Sequence, residues 1–206
     1  LIVALLAVFG CYSDYSEVSV SLQAAHRSSE VTSVLKSATL HRADFDDIID
    51  STSCFSILFS YQIVMNNRVK TIHNEDDILS LNDKNDIKLK FPVSVIFYDY
   101  SVFKVNSLSE FEDLKSQCED TFILEPNKCN ELTYPITIKD NNDYNRNFRT
   151  HHLNSDKDFF LYLDHLHDSD VFEIDYPVII TDSLKSKEVF SNQTLISELQ
   201  KDSNCN

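Results

Sequence analysis

The sequence predicts an α+β fold in which four β-β-α repeats form antiparallel sheet, with helices packed on one face and the whole arranged as two double units. Three observations carry this expectation. Apolar residues alternate in four separate segments, a helix-start signal follows each segment, and cysteines bracket the units two at a time.

The alternation is the primary signal. In the first segment, Phe55, Ile57, Phe59, Tyr61 and Ile63 are apolar, with Ser56, Ser60 and Gln62 among the residues between them. Successive strand side chains point to opposite faces, so a period of two yields one apolar face. The pattern returns through Ile87, Leu89, Phe91, Val93, Val95 and Phe97, then Leu132, Tyr134, Ile136 and Ile138, then Phe172, Ile174, Tyr176, Val178 and Ile180. Phe91-Pro92, Tyr134-Pro135 and Tyr176-Pro177 mark three of the segments, and Phe59-Ser60 stands at the same place in the first. Proline cannot donate to a strand ladder, so these dipeptides are expected at a sheet edge or a bulge.

Turn chemistry follows each segment: Asn66-Asn67, Asp99-Tyr100-Ser101, Asp140 to Asp143 and Thr181-Asp182-Ser183. Asn and Asp tolerate left-handed backbone and stand in for glycine. A shorter second strand is expected at 69–72, 102–105, 148–153 and 188–190. Candidate helix caps then stand at Asn74, Ser107, Ser155 and Asn192, which lie 14, 15, 20 and 15 residues after Ser60, Pro92, Pro135 and Pro177. Asp77, Glu110 and Asp158 each lie three residues after a cap, and Ser107 with Glu110 fits a capping box. A two-stranded hairpin is marginal alone, so the units are expected to share about eight strands and a single helical layer. The opposite face would then carry Lys88, Lys90, Glu131, Thr133, Thr137, Glu173 and Asp175 as a surface for a partner or for the other half.

Four cysteines fit the double-unit plan. Cys54 and Cys129 each precede an aromatic, Phe59 or Tyr134, by five residues, and Cys118 and Cys205 follow the second and fourth helices. This symmetry favours the disulfides Cys54–Cys118 and Cys129–Cys205, although four cysteines allow two other connectivities. No close Cys pair exists for a zinc site.

The amino-terminal segment reads as an address. Leu1 to Phe9 is an apolar run too short to cross a bilayer but suited to a signal-peptide h-region. Val8-Phe9-Gly10-Cys11 resembles a lipobox, which makes Cys11 the lipidated residue, and without a Met or a basic n-region the start reads as truncated. Tyr12-Ser13-Asp14-Tyr15-Ser16-Glu17 resembles the acidic export signal of Bacteroidota surface lipoproteins. The expected organisation is a signal peptide and lipobox over 1–11, a polar tether over 12–50 with a short helix through Val34 to Ile49, a first ββαββα unit over 51–122 and a second over 123–206.

Phe-Pro-Val-Ser-Val, Tyr-Pro-Ile-Thr-Ile and Tyr-Pro-Val-Ile-Ile, each with a polar turn and a capped helix after it, resemble the units of uncharacterised tandem-repeat (β-β-α) lipoproteins of Bacteroidota. The resemblance covers about 54–205 and carries no catalytic residues across. Those relatives usually place Asp-Gly-Ser at the hairpin turn, where this chain has Asp99-Tyr100-Ser101.

Composition narrows the function. Eighteen Lys and Arg against 33 Asp and Glu give a net charge of −15, which disfavours nucleic acid and anionic lipid surfaces. The single glycine, Gly10, precedes Cys11, so the segment after it lacks the glycines of a P-loop, a dinucleotide fingerprint and a nucleophile elbow. His151, His152, His165 and His167 do not share a helix face, and Glu75 to Asp77, Asp140 to Asp143 and Asp168 to Asp170 lack EF-hand spacing, so no metal or other cofactor is expected. The expected function is that of a non-catalytic binding or scaffold module of the cell envelope. Its expected partners are the membrane, through a lipid anchor, and a protein or glycan. The alternative is an envelope hydrolase with a site between the two halves.

Overall fold

A computed structural model describes residues 23–81, 87–119, 130–141, 148–182 and 185–201. Within them the protein is mixed α+β, with six α-helices and four small antiparallel sheets. Strand β1 (Ala24–His26) and helix α1 (Glu30–Ala38) come first, then a 3-10 turn (Asp44–Asp46) and the short α2 (Asp47–Asp50). Next are β2 (Phe55–Ile57), β3 (Tyr61–Met65), β4 (Arg68–Ile72) and α3 (Glu75–Leu79), followed by β5 (Ile87–Lys90), β6 (Val93–Phe97), β7 (Val102–Val105) and α4 (Leu108–Glu119). The second half holds β8 (Glu131–Leu132), β9 (Ile136–Asn141), β10 (Phe148–Leu153) and α5 (Asp156–Asp164), then β11 (Val171–Ile174), β12 (Val178–Thr181), β13 (Ser186–Val189) and α6 (Asn192–Leu199).

The long strands expected from alternation are each broken. The breaks fall at the cis peptides Phe59-Ser60, Phe91-Pro92, Tyr134-Pro135 and Tyr176-Pro177, and the pieces on either side enter different sheets. A strand running on through a proline would lose a ladder hydrogen bond there. The described residues therefore form thirteen short strands rather than about eight, in the orders β4-β3-β5, β2-β6-β7, β1-β11-β9-β10 and β13-β12-β8.

The short first strands are exchanged reciprocally. β2 pairs with β6 and β5 with β3, so that Ile57 faces Val95 and Leu89 faces Ile63. The residue three before one break faces the residue three after the other. The second half repeats the register, with Leu132 facing Ile180 and Ile174 facing Ile138. Alternation still sets the buried face: Ile138, Phe172 and Val95 are fully buried, while Lys88, Lys90, Glu131, Thr133 and Asp175 are exposed.

The expected tether over 12–50 is folded from residue 23 onward. β1 extends the sheet beside β11, and α1 buries Val31 and Leu35 in the core of the second half beside Phe159, Leu163 and Leu195. Phe45, Ile48 and Ile49 pack instead against the core of the first half, around Phe55, Ile57 and Ile63. Polar composition concealed this because α1 has only one apolar stripe, Val31, Val34 and Leu35, on an otherwise Ser- and Lys-bearing helix. The expected helix through Val34 to Ile49 is divided between α1, the 3-10 turn and α2.

Local signals set the element ends. Asn66 and Asn67 both take left-handed backbone, at φ 51° and 60°, in the two-residue turn that joins β3 to β4. Asn74 and Ser155 cap α3 and α5 by accepting the N–H of Asp77 and Asp158, and Ser107 accepts that of Glu110 at 3.3 Å. The three acids reach the N–H before the cap, on His73, Asn106 and Asn154, rather than the cap's own as a capping box requires. The fourth cap is Ser191, not Asn192, and it forms the capping box with Thr194.

Cys54 is buried and disulfide-bonded. Cys11, Cys129 and Cys205 lie outside the described residues, and of Cys118 only its place in α4 is described.

Candidate functional site

The chain passes from one core to the other between Thr39 and Ala43, and a cleft forms around that crossing. α1 ends where the Thr39 hydroxyl donates to the Leu35 carbonyl at 2.8 Å. The His41 N–H then donates to the Tyr98 carbonyl at 2.9 Å, and the Tyr100 hydroxyl donates to the Thr39 carbonyl at 2.9 Å. Both bonds hold the crossing segment to the β6–β7 turn.

Tyr100 occupies that turn at φ 65°. A residue with a Cβ pays about 1–2 kcal/mol for left-handed backbone. Its side chain offsets this cost, because the ring packs 5.6 Å from His41 on one side and 5.6 Å from Phe160 of α5 on the other. Tyr100 thus stands where glycine suits the turn and uses the position to join the two halves.

The cleft has a volume of about 250 Å³ and is lined by His41, Arg42, Phe45, Glu75, Tyr100 and Asp156 among others. A second hollow of about 320 Å³ shares Arg42 and Asp156 and adds Asn130, Glu131 and Tyr134. Arg42 reaches Asp44 at 3.5 Å and Glu131 at 3.7 Å. Both contacts are long and its side chain is half exposed, so they leave the guanidinium largely available. The Tyr134 hydroxyl donates to Asp156 at 2.5 Å. Burial raises the Asp156 carboxyl above the usual range, and the Tyr134 bond opposes that rise. Burial lowers the His41 imidazole below its ordinary value, so it is neutral near pH 7.

His41 Nε2 lies 2.7 Å from the Ser56 hydroxyl. Ser56 is only 1% exposed, so this pair does not present a nucleophile to a substrate. The cleft offers instead carboxylate acceptors, one guanidinium and the rings of Phe45 and Tyr100. That set suits a small polar ligand rich in hydroxyl donors.

The residues weighed from sequence are placed elsewhere. His151 bonds Asp140 at 2.9 Å, His152 bonds Thr137 at 3.1 Å, and His165 meets the Leu161 carbonyl of its own helix. Among the described residues, no three His, Cys, Asp or Glu side chains converge on a metal position. Glu75 to Asp77 form the first turn of α3, and Asp170 accepts the His167 N–H. A further hollow of about 270 Å³ lies between the two proline turns at Tyr134-Pro135 and Pro177, on the polar sheet face. Sequence reasoning missed the cleft residues because Arg42, Glu75, Tyr100 and Asp156 lie far apart in the chain. One signal was legible, a bulky Tyr100 between Asp99 and Ser101 in a hairpin turn, where left-handed backbone favours a smaller residue. No family model matches the chain, and no curated protein or solved structure matches it.

Proposed function

We propose that the protein is a lipoprotein of the cell envelope, anchored through Cys11 in the outer membrane to face the surface or the periplasm, and that it is a non-catalytic binding module. Its ligand site is the cleft at the crossing of the two halves, and its ligand is a hydroxyl-rich group such as the end of a glycan. The observation that carries this reading is the convergence of Arg42, Glu75, Tyr100 and Asp156 on one hollow from separate parts of the chain. The reading includes four units of one β-β-α plan, supported by the shared register of the two strand exchanges, and kinship with the Bacteroidota repeat lipoproteins, supported by the three aromatic-proline phrases.

Two tests follow. In the full-length gene, Cys11→Ser should abolish labelling by a clickable palmitate, and undiminished labelling removes the anchor. A glycan array should yield a ligand whose affinity falls about tenfold in Asp156→Asn, the loss of one hydrogen bond to a charged group. Binding that is unchanged in Asp156→Asn would move the site elsewhere. The alternative, a hydrolase with its site between the halves, draws on the raised Asp156 carboxyl beside Glu75. It predicts turnover of the bound glycan that Asp156→Asn abolishes.

A further inference from the structure

Asp46, Asp50 and Tyr61 of the first half are buried together, at 0%, 3% and 5% exposure. Asp46 closes the 3-10 turn and Asp50 ends α2, a spacing of four residues that places both on one side of the segment. Each carboxyl has one oxygen satisfied: Asp46 Oδ2 accepts the Ile57 N–H at 2.7 Å, and Asp50 Oδ1 accepts the Thr52 N–H at 3.1 Å. Among the described residues, the other oxygens, Asp46 Oδ1 and Asp50 Oδ2, are buried without a hydrogen-bond partner, and so is the Tyr61 hydroxyl. Buried polar atoms are almost always bonded, and two carboxylates shut away from water cannot both stay charged without a compensating partner.

The surroundings supply little compensation. Asp47 of α2 and Glu75 of α3 add negative potential at Asp46. Lys115 of α4 acts on Asp50 and donates to the Asp50 carbonyl at 3.4 Å, not to its carboxyl. α3 also carries Asp76 and Asp77, both on its exposed first turn, while β2, against which the segment packs, carries no ionisable side chain. β5 carries Lys88 and Lys90 on its exposed side, with Lys90 bound to Gln62 at 2.9 Å. Among the described residues, no group of three His, Cys, Asp or Glu side chains is placed to hold a metal, and a proton is a neutralising species that the two carboxyls can take up by themselves.

We propose that Asp46 and Asp50 form a protonation-controlled latch: protonated, they seat residues 44–50 against the first half beside Tyr61, and ionised, they release that segment. A protonated carboxyl supplies the O–H donor that the orphaned oxygens lack. Burial, helped by the charges of Asp47 and Glu75, raises Asp46 to about 7, and burial, helped by the charge of Asp46, raises Asp50 to about 9. An unfolded aspartate titrates near 3.9, so the folded chain holds protons that the unfolded chain has lost, and its stability falls as pH rises from about 4 through about 9. Phe45 belongs to the latched segment and lines the cleft, so release also removes one wall of that hollow.

Aspartate carboxyl carbons of the full chain, followed by NMR from pH 4 to pH 10 with EGTA present, test the latch directly. Two carboxyls should titrate near 7 and near 9. The paired substitution Asp46→Asn and Asp50→Asn mimics the protonated state. At pH 8.5 it should raise protection of the Ile57 amide, corrected for intrinsic exchange, about tenfold over the unmodified chain, the equivalent of one unit of displaced pKa. Titration of every carboxyl in the ordinary range overturns the latch, as does an unchanged pH profile in the variant. Calcium at millimolar concentration that restores protection at pH 8.5 also overturns it, since a cation would then be the neutralising species. If the variant does not fold, the carboxyl titration of the unmodified chain decides alone.

Discussion

Leu35→Ala is expected to destabilise the second half by about 2–5 kcal/mol, the range for removing a buried leucine and leaving a cavity. Leu35 is fully buried, in one cluster with Phe159, Leu163, Phe172 and Leu195, although about 100 or more residues of chain separate it from them. Urea unfolding followed by exchange at the amides of β9 and β11 reads the effect where it is expected. A polar tether at this position would instead give a change within about 0.5 kcal/mol, the usual size of a surface substitution. Removing residues 23–40 altogether would expose the edge of β11 as well as the core, because β1 covers that edge through Ala25 opposite Phe172.

Cys54→Ser carries the second large effect, an expected loss of about 2–5 kcal/mol in the oxidised protein. The disulfide at Cys54 sits at the entry to β2, where the Cys54 N–H also meets the Thr52 hydroxyl at 3.3 Å. Thermal unfolding with and without reductant measures the loss, and the variant should become insensitive to reductant in its first half. Non-reducing peptide mapping identifies the partner, which the sequence symmetry leads us to expect at Cys118. A bond from Cys54 to Cys129 or Cys205 would tie the two halves together and leave the symmetric pairing wrong.

Much of the secondary structure was legible because it rests on short-range physics. Alternation marked the buried face of most of the strands, with buried Ser56 and exposed Phe59 as exceptions, and Asn74, Ser107 and Ser155 marked three helix starts. The strand breaks were only half legible. Proline announced an edge or bulge at three places, but periodicity continues unbroken through Phe91 and Val93, so it does not reveal that the chain changes sheets between them. The reciprocal pairing is a long-range property, invisible to any local window. The buried acids were hidden for the opposite reason. Asp44 to Asp50 falls within the expected polar tether, and only tertiary packing drives Asp46 and Asp50 inward. The cleft was the least legible feature, since its walls come from four parts of the sequence.

Reciprocal strand donation imposes parity on this architecture. β2 completes the sheet of β6 while β5 completes that of β3, so each debt is settled within one neighbouring couple and none is left over. A chain lengthened by a single such module would carry an unmatched donor and an unfilled acceptor, both with open backbone groups that invite a stranger. Growth by couples leaves neither. It also accords with the two separate hydrophobic clusters among the described residues, since each cluster lies within one couple of exchanged sheets.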